Sequence, residues 1–167
     1  EQIAAKRNIR IVWEKKEVIH WNLIGSPGYV KRILMNILTN AVKYNRESGC
    51  IYISCMEIAS EQTGMVTMEF ICRDTGIGMT EAFQKRLFEP FAQESETART
   101  LYGGTGLGLP IVKNILDKMN GQISFTSKQG KGSVFEIRMP LVVNHEAVLE
   151  EEQPEEEVSG VLTGKKI

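Results

Sequence analysis

One amphipathic helix leaves few folds open to this chain. The stretch YVKRILMNILTNAVKY has the 3.6-residue period of a helix with one apolar face. Ser26 followed by Pro27 supplies a helix start just before it. Because such a face is stable only when it packs against another element, the rest of the chain has to supply a partner surface. The apolar residues of the face are Val30, Ile33, Leu34, Ile37, Leu38 and Ala41.

Short β-branched and apolar runs surround this helix in pairs. In residues 9–25 two such runs are split by a charged KKE, which predicts a first hairpin. The segments CIYISCMEI and VTMEFICRD predict a second hairpin, joined by a polar turn around ASEQTG. In its second strand, alternation places four apolar residues on one side: Val66, Met68, Phe70 and Cys72.

A second helix and a third pair of strands complete the pattern. The helix LPIVKNILDKM has Pro110 in its first turn and Asn120-Gly121 as its stop. The strands QISFTS and SVFEIRMP follow, separated by the turn KQGKG. The resulting order β-β-α-β-β-lid-α-β-β indicates an α+β fold, a two-layer sandwich in which helices cover one face of a mixed or antiparallel sheet.

Residues 80–104 are poor in apolar residues and have no clean period, so we predict that they form a lid over a site. The chain has no long apolar run, and its N-terminus EQIAAKRN has no signal-peptide core. These features predict a cytoplasmic fragment without direct membrane contact, even if a full-length protein is anchored in a membrane.

The composition changes after Val143. Residues 144–167 contain seven of the 21 acidic residues and two of the 20 basic residues. We therefore predict a folded domain at residues 1–143, followed by an acidic linker at residues 144–167 that cannot bury enough apolar surface to fold. The domain alone has 18 basic and 14 acidic residues, a net charge of +4, which suits a small anionic ligand and is too weak to indicate nucleic acid.

The three cysteines give no sign of a metal site. Cys50, Cys55 and Cys72 are odd in number and lack C-x-x-C spacing. We interpret them as buried thiols rather than as a zinc site or a disulfide framework.

Polar residues recur along the border of the first helix. Asn36, Asn40 and Lys43 are spaced at i, i+4 and i+7, although Asn is a poor helix former because its amide competes for backbone hydrogen bonds. An Asn oxygen is a hard ligand for Mg²⁺, and a Lys one turn further on could meet the phosphates that the metal bridges. The alternative is an ordinary polar border of an amphipathic helix.

Two glycine-containing segments add to this pattern. Asp74 ends a strand directly before TGIGM, where its carboxylate could accept from an exocyclic amine such as that of adenine. A simple tight turn is the alternative. The segment GGTGLGLP, residues 103–110, matches neither a P-loop nor a dinucleotide-binding turn. Its glycines precede a helix start and so could cradle phosphate, or they could form a flexible hinge.

Four segments of the chain together resemble a known family. N-I-L-T-N-A-V-K-Y, D-T-G-I-G-M, L-F-E-P-F and G-T-G-L-G-L occur in the order of the N, G1, F and G2 boxes of the ATP-binding catalytic domain of sensor histidine kinases. The last pair of strands is also similar to the final hairpin of that family, so the resemblance covers residues 1 to about 142. It implies a Bergerat-type sandwich, shared with gyrase-type ATPases, that binds ATP with Mg²⁺.

The resemblance also implies roles for individual residues. Asn40 would be the principal Mg²⁺ ligand, with Asn36 beside it. Lys43 and Tyr44 would meet phosphate and sugar, and Asp74 would hold the adenine amine.

Further roles follow for the glycine segments and the lid. Gly76 and Gly78 would admit the base, and the segment from Thr105 to Gly108 would close over the phosphates. Arg99 would contact the γ-phosphate, its alternative being a solvated arginine. Leu87, Phe88 and Phe91 would wall the pocket and anchor the lid. The complete set of further nucleotide-binding residues is Gly76, Gly78, Met79, Leu87, Phe88, Arg99, Gly104, Thr105, Gly106, Leu107 and Gly108.

The chain departs from the histidine kinase family in one place, differs from gyrase-type relatives in another, and lacks one expected group. Ser26 stands where the family often has Asp, which affects only the helix cap. Asn36 replaces the Glu with which gyrase-type relatives activate water, and this favours a kinase over an ATPase. Neither His20, in a predicted strand, nor His145, at the linker, has the surroundings of a phosphoacceptor histidine. The resemblance therefore implies a histidine kinase catalytic domain whose phosphoacceptor lies elsewhere.

The implied partners are the dimerisation or histidine phosphotransfer domain of the same protein and a response regulator or receiver domain. An acidic linker followed by LTGKKI also resembles a hybrid kinase, in which a receiver domain begins at that point. One alternative is a catalytically silent docking module of the same fold. An ATP-driven clamp of the gyrase or chaperone type is disfavoured by the small size, the LFEPF segment and Asn36.

Overall fold

The computed structural model describes residues 7–94 and 105–144 of the chain. Arg99, Gly104, His145 and the acidic linker beyond Asn144 lie outside the described residues. Two layers are present, as predicted: a mixed sheet and the helices that cover one of its faces. In chain order the elements are β1 (Arg10–Glu17), β2 (Leu23–Ile24), α1 (Pro27–Lys43), β3 (Cys50–Ala59), β4 (Met65–Asp74), α2 (Glu81–Gln84), α3 (Gly108–Lys118), β5 (Gln122–Lys128) and β6 (Gly132–Val143).

The strand order in the sheet is β1-β3-β4-β6-β2, with β5 also paired with β6. Strands β3 and β4 pair antiparallel, with Ile53 opposite Cys72, and β5 and β6 pair antiparallel, with Phe125 opposite Phe135. The second and third predicted hairpins are therefore confirmed. The sheet is mixed because β1 runs parallel to β3.

The first predicted hairpin is wrong. Strand β1 continues through the charged KKE segment and pairs with β3, whereas the two-residue β2 pairs with β6 at the far side of the sheet order. The reason is that β1 is an exposed edge strand with a bulge between Trp13 and Lys15, where long charged side chains reach water without ending the strand. His20 consequently lies in the connection between β1 and β2, half-buried, and not in a strand.

The core lies between one face of the sheet and the two longer helices. The predicted alternation in β4 is confirmed, since Phe70 is 4% and Cys72 is 1% exposed. Ile33 and Ile37 of α1 and Val112 and Leu116 of α3 complete the same cluster. Each such side chain contributes about 1.5–3 kcal/mol when fully buried. Of the free thiols, Cys50 and Cys72 are buried as predicted and Cys55 is half-buried.

The ends of both longer helices follow from local sequence. Ser26 is the N-cap of α1, its Oγ accepting from Tyr29 N at 3.4 Å, and Pro27 is the first helical residue. After α3, Asn120 adopts φ 53° and Gly121 N donates to Leu116 O at 2.8 Å, which stops the helix. In the described ranges, each helix is too short or too polar to cross a lipid bilayer.

Candidate functional site

A cavity of about 250 Å³ lies between the C-terminal half of α1, the end of β4 and the start of α3. These elements are far apart in the sequence, so only the folded sheet and the helix packing bring them together. The cavity is lined by eleven of the residues that were predicted to belong to the site: Asn36, Asn40, Lys43, Tyr44, Asp74, Gly78, Met79, Leu87, Thr105, Gly106 and Gly108.

Asn36, Asn40 and Lys43, which we term the polar stripe of α1, line this cavity. Asn36 and Asn40 are half-buried, and Asn36 Nδ2 donates to Arg32 O at 2.8 Å, which leaves the amide oxygen on the open side. Lys43 Nζ lies 4.8 Å from the centroid of the Tyr44 ring. The stripe therefore presents two amide groups and one ammonium group along a single wall.

Asp74 forms the opposite end of the cavity. Its side chain is largely buried, and Oδ1 accepts hydrogen bonds from Gly76 N at 2.7 Å and Ser133 N at 3.3 Å. Burial raises the pKa of Asp74, and the two backbone N–H donors offset part of that rise. Among the described residues none donates to Oδ2, so this oxygen is left as an acceptor for a ligand.

The glycines beside Asp74 allow the backbone to pack closely. Gly78 has φ +64°, and a Cβ there would lie 2.1 Å from Lys128 O. Gly76 does not line the cavity; its N–H holds Asp74, and a Cβ there would lie 2.3 Å from Tyr44 O. Gly76 therefore shapes the site through its backbone, which the sequence alone did not show.

The segment predicted as a lid, residues 80–104, is partly regular: it contains the short helix α2, and Thr80 N donates to Glu94 Oε1 at 2.8 Å. Phe91 N donates to Gly106 O at 3.1 Å, so this part of the chain is joined to the start of the next described range. Thr105 and Gly106 line the cavity, whereas Leu107 is the N-cap residue of α3 and lies outside the lining. Arg99 and Gly104, which are predicted to contact phosphate, lie outside the described residues.

The side chains of the LFEPF segment, residues 87–91, lie in different surroundings. Leu87 is 4% exposed and lines the cavity. The Phe88 ring packs instead against Phe125 at 5.8 Å between centroids, and Phe91, at φ +63°, is 72% exposed. Neither ring is in the cavity wall, contrary to the sequence analysis. Adjacent residues in a turn point in different directions, and the left-handed backbone of Phe91 turns its ring outward.

Some cavity residues were missed by the sequence analysis. Thr39 lies between Asn36 and Lys43 on the same side of α1 and could have been found from helical spacing. Ser133 and Phe135 come from β6, and only the pairing of β6 with β4 brings them beside Asp74. The remaining missed residues of the lining are Ala41, Ile77, Phe83, Ala92, Gln93, Glu94, Leu109 and Pro110.

Two arginines brace the end of α1 next to the cavity. Arg7 donates to Val42 O at 3.0 Å, Lys43 O at 2.9 Å and Asn45 O at 2.6 Å, so it caps carbonyls that a helix end leaves unsatisfied. Arg46 donates to Gly76 O and to Gly130 O. The loop after α1, the loop after β4 and the β5–β6 turn are thereby tied together.

A comparison with known protein families shows which family this chain belongs to. Residues 25–143 match the family described as histidine kinase-, DNA gyrase B- and HSP90-like ATPase. The chain belongs to this family. The resemblance found in the sequence and the Bergerat-type fold are thus confirmed.

Curated relatives within the family are histidine kinases. The chain is 39% identical to the signal transduction histidine-protein kinase BarA of Escherichia coli K12, over 77% of this chain and 14% of BarA. It is 37% identical to the autoinducer 2 sensor kinase/phosphatase LuxQ of Vibrio parahaemolyticus, over 72% of this chain and 14% of LuxQ. The sensor histidine kinase GacS of Pseudomonas protegens is 36% identical, over 72% of this chain and 13% of GacS. The chain thus spans 13–14% of the length of these relatives.

Solved structures agree with the family assignment. Full-length ShkA in complex with AMPPNP superposes with a TM-score of 0.65 at 26% identity, covering 86% of this chain and 28% of ShkA. A nucleotide-free form of the catalytic domain of the histidine kinase ThkA superposes with a TM-score of 0.62 at 24% identity, covering 83% of this chain and 84% of that domain. The ThkA comparison supports the fold alone.

Proposed function

We propose that this domain binds Mg-ATP in the cavity and donates the γ-phosphate to a histidine on a separate dimerisation or phosphoacceptor domain, as part of two-component signalling. The observation that carries the proposal is the convergence of Asn40, Asp74 and Gly106 on one cavity. An amide oxygen, a buried carboxylate and close-approaching backbone are the groups that a metal, an adenine amine and a phosphate respectively require.

The adenine ring would lie at the Asp74 end. Asp74 Oδ2 is the acceptor available to the exocyclic amine, and it accepts that hydrogen bond in its ionised form. Met79 and Leu87 are both nearly buried and line the cavity beside it, so they would pack against the faces of the base. A buried acceptor that has lost its partner costs about 1–3 kcal/mol, which makes Asp74 a determinant of selectivity.

The residues of α1 fit Mg²⁺. Asn40 and Asn36 would hold it through their amide oxygens, because Mg²⁺ prefers oxygen ligands and keeps several waters and phosphate oxygens besides. When bound, Mg²⁺ would neutralise charge on the phosphates. Lys43, one turn further along the stripe, would add a positive charge on the same side. The Asn36 amide is no base for activating water, so ATP hydrolysis by this domain would be slow.

The start of α3 would receive the phosphates. Leu107 at the N-cap makes no side-chain hydrogen bond to the helix, so the N–H groups of Gly108 and Leu109 would be open to an anion, whereas Pro110 has none. Thr105 and Gly106 line the cavity next to this helix end. Phosphate contacts by Arg99 and Gly104 remain a prediction from the sequence, because both residues lie outside the described ranges.

The nucleophile would come from another domain. His20 is held by Glu57, with 2.6 Å between Nδ1 and Oε1, and it does not line the cavity. The proposed partners are the dimerisation domain of the same protein and a response regulator or receiver domain, and the proposed location is the cytoplasm. A receiver domain beyond the acidic linker would make the full-length protein a hybrid kinase.

Incubation with γ-labelled ATP tests the transfer. We expect label on the histidine of a separately supplied dimerisation domain from the same protein, and no label on this chain alone. Label on the chain in the absence of the acceptor domain would contradict the proposal. Binding of Mg-ATP without transfer to the acceptor would favour the silent docking module.

A further inference from the structure

Both tryptophans of the chain are exposed. Trp13 on β1 is 61% and Trp21, in the loop after β1, is 67% exposed, and Ile19, two positions before Trp21, is 77% exposed. Exposed large apolar side chains that lie close together mark interaction surfaces, and tryptophan is prominent among residues that dominate binding. Lys16, Ile19 and Trp21 form what we term the β1–β2 flank, because Lys16 Nζ lies 4.7 Å from the Trp21 ring centroid.

The flank is held in place by one buried carboxylate. Glu57 Oε2 accepts from Ile19 N at 3.0 Å and from His20 N at 2.7 Å, and Glu57 Oε1 lies 2.6 Å from His20 Nδ1. The Glu57 side chain is only 5% exposed. The loop is therefore fixed with its apolar side chains outward, and a fixed surface loses little conformational entropy when it binds.

The chemistry of the flank indicates an acidic partner with some apolar residues. The ammonium group of Lys16 stands over an indole face, and Lys15 lies next to it in an ion pair with Glu17. Cation and aromatic groups presented together suit a segment in which carboxylates alternate with small apolar side chains.

The sequence that follows the last described residue, Asn144, is an acidic segment of this kind, and Asn144 lies beside the flank. Asn144 N donates to Asn22 O at 2.9 Å, which places the end of the described chain one residue from Trp21. The sequence continues as HEAVLEEEQPEEE, with seven Glu and the apolar Val148 and Leu149. At roughly 3.3 Å per residue, a segment that starts two residues after Asn144 reaches the flank easily. A tether this short gives an effective concentration of about millimolar.

We propose that the acidic segment at residues 146–157 docks in cis on the β1–β2 flank. Its carboxylates pair with Lys16, and Val148 and Leu149 cover Trp21 and Ile19. The positive domain and the negative segment are complementary in charge, which favours this occupant over an unrelated protein. Docking fixes the direction in which the chain leaves the domain.

Tryptophan fluorescence tests this directly. In the Trp13→Phe variant Trp21 is the sole indole, and we compare the full chain with chains that end at residue 144 or at residue 160. Loss of residues 145–167 is expected to shift the Trp21 emission to the red and to raise its acrylamide quenching constant by roughly twofold, since a covered ring becomes exposed. Loss of residues 161–167 alone keeps the acidic segment and is expected to change neither. Identical quenching in all three chains overturns the proposal.

Further controls separate docking in cis from other occupants. The Trp21→Phe variant, which retains Trp13, is expected to show no dependence on the tail. In the full chain, Lys16→Gln is expected to raise the acrylamide quenching constant of Trp21 to that of the chain that ends at residue 144. A salt concentration of about 1 M is expected to have the same effect, because the Debye length falls to about 3 Å. A tail effect that grows with protein concentration would assign the flank to a second copy and overturn docking in cis. Mg-ATP affinity is expected to be unchanged in all these variants, so this proposal and the proposed function fail separately.

Discussion

Asn36 and Gly108 meet where α1 faces the start of α3: a Cβ at position 108 would lie 2.7 Å from Asn36 Oδ1. The absence of a side chain at Gly108 therefore lets the amide oxygen of α1 stand against the first residue of the helix that would receive phosphates. The group proposed to hold the metal and the helix start proposed to hold phosphate therefore share one corner of the cavity, although Asn36 and Gly108 are 72 positions apart in the sequence.

This contact predicts the effect of Gly108→Ala. The methyl group displaces the Asn36 amide, so we expect Mg-ATP affinity to fall by about tenfold, or 1.4 kcal/mol. Gly28→Ala is the matched control, because it is a helical glycine whose Cβ would meet nothing closer than 4.0 Å. It is expected to leave affinity unchanged and to stabilise α1 by about 0.5–1 kcal/mol. Isothermal titration and thermal melting measure both effects, and equal affinity in the two variants would speak against the contact.

Asp74→Asn should separate stability from binding. The variant keeps an acceptor for Gly76 N and Ser133 N but removes a buried charge, so its free energy of unfolding at pH 7 is expected to equal or exceed that of the wild type. Affinity for ATP is expected to fall by roughly one to two orders of magnitude, because the acceptor for the exocyclic amine is altered. Chemical denaturation and titration measure the two quantities; a destabilised variant with normal affinity would contradict the assigned role.

The raised pKa of Asp74 predicts the pH dependence of binding and stability. Because the folded pKa lies above the unfolded value, the contribution of this group to stability is fully present below the unfolded pKa and is lost as pH rises through the folded pKa. ATP affinity follows the opposite course, since the ionised carboxylate accepts the amine: it is expected to fall as the pH drops through the folded pKa. Titrations of wild type and Asp74→Asn between pH 4 and 8 test this, and a variant with the same pH profile as wild type would exclude Asp74 as the titrating group.

Arg7 is predicted to stabilise the end of α1. Arg7→Ala removes charged hydrogen bonds to three carbonyls, so we expect a loss of about 1.5–3 kcal/mol in the free energy of unfolding. Arg10→Ala is the control, because among the described residues the Arg10 side chain donates only to the weak acceptor Cys50 Sγ, at 3.4 Å, and its backbone bond to Gly49 O is kept in the variant. Urea denaturation of both variants measures the difference, and a similar loss in the two would show that the carbonyl cap is unimportant.

The elements that could be predicted from the sequence are those whose signals lie within a few neighbouring residues. The stripe of α1, its Ser26 cap and the two later hairpins are encoded by periodicity and turn residues within a few positions. Strand β1 could not be placed in this way, because its partner β3 starts 40 positions after Arg10 and a parallel pairing leaves no turn signal.

The same distinction holds in the candidate site. Asn36, Asn40 and Lys43 were found because helical spacing puts them on one side of α1. Ser133 was missed because its place beside Asp74 depends on the pairing of β6 with β4. Phe88 was misplaced because the direction of a side chain in a turn depends on backbone angles that the sequence pattern does not contain.

Titration of ATP into wild type, Asn40→Ala and Asn114→Ala, each with and without Mg²⁺, tests the central claim most directly. Asn114 is an exposed asparagine on α3 outside the cavity and serves as the matched control. We expect tight binding that depends on Mg²⁺ in wild type and Asn114→Ala, and an affinity at least about tenfold lower in Asn40→Ala, with most of the Mg²⁺ dependence lost. Equal affinity and equal Mg²⁺ dependence in Asn40→Ala and wild type would contradict the account.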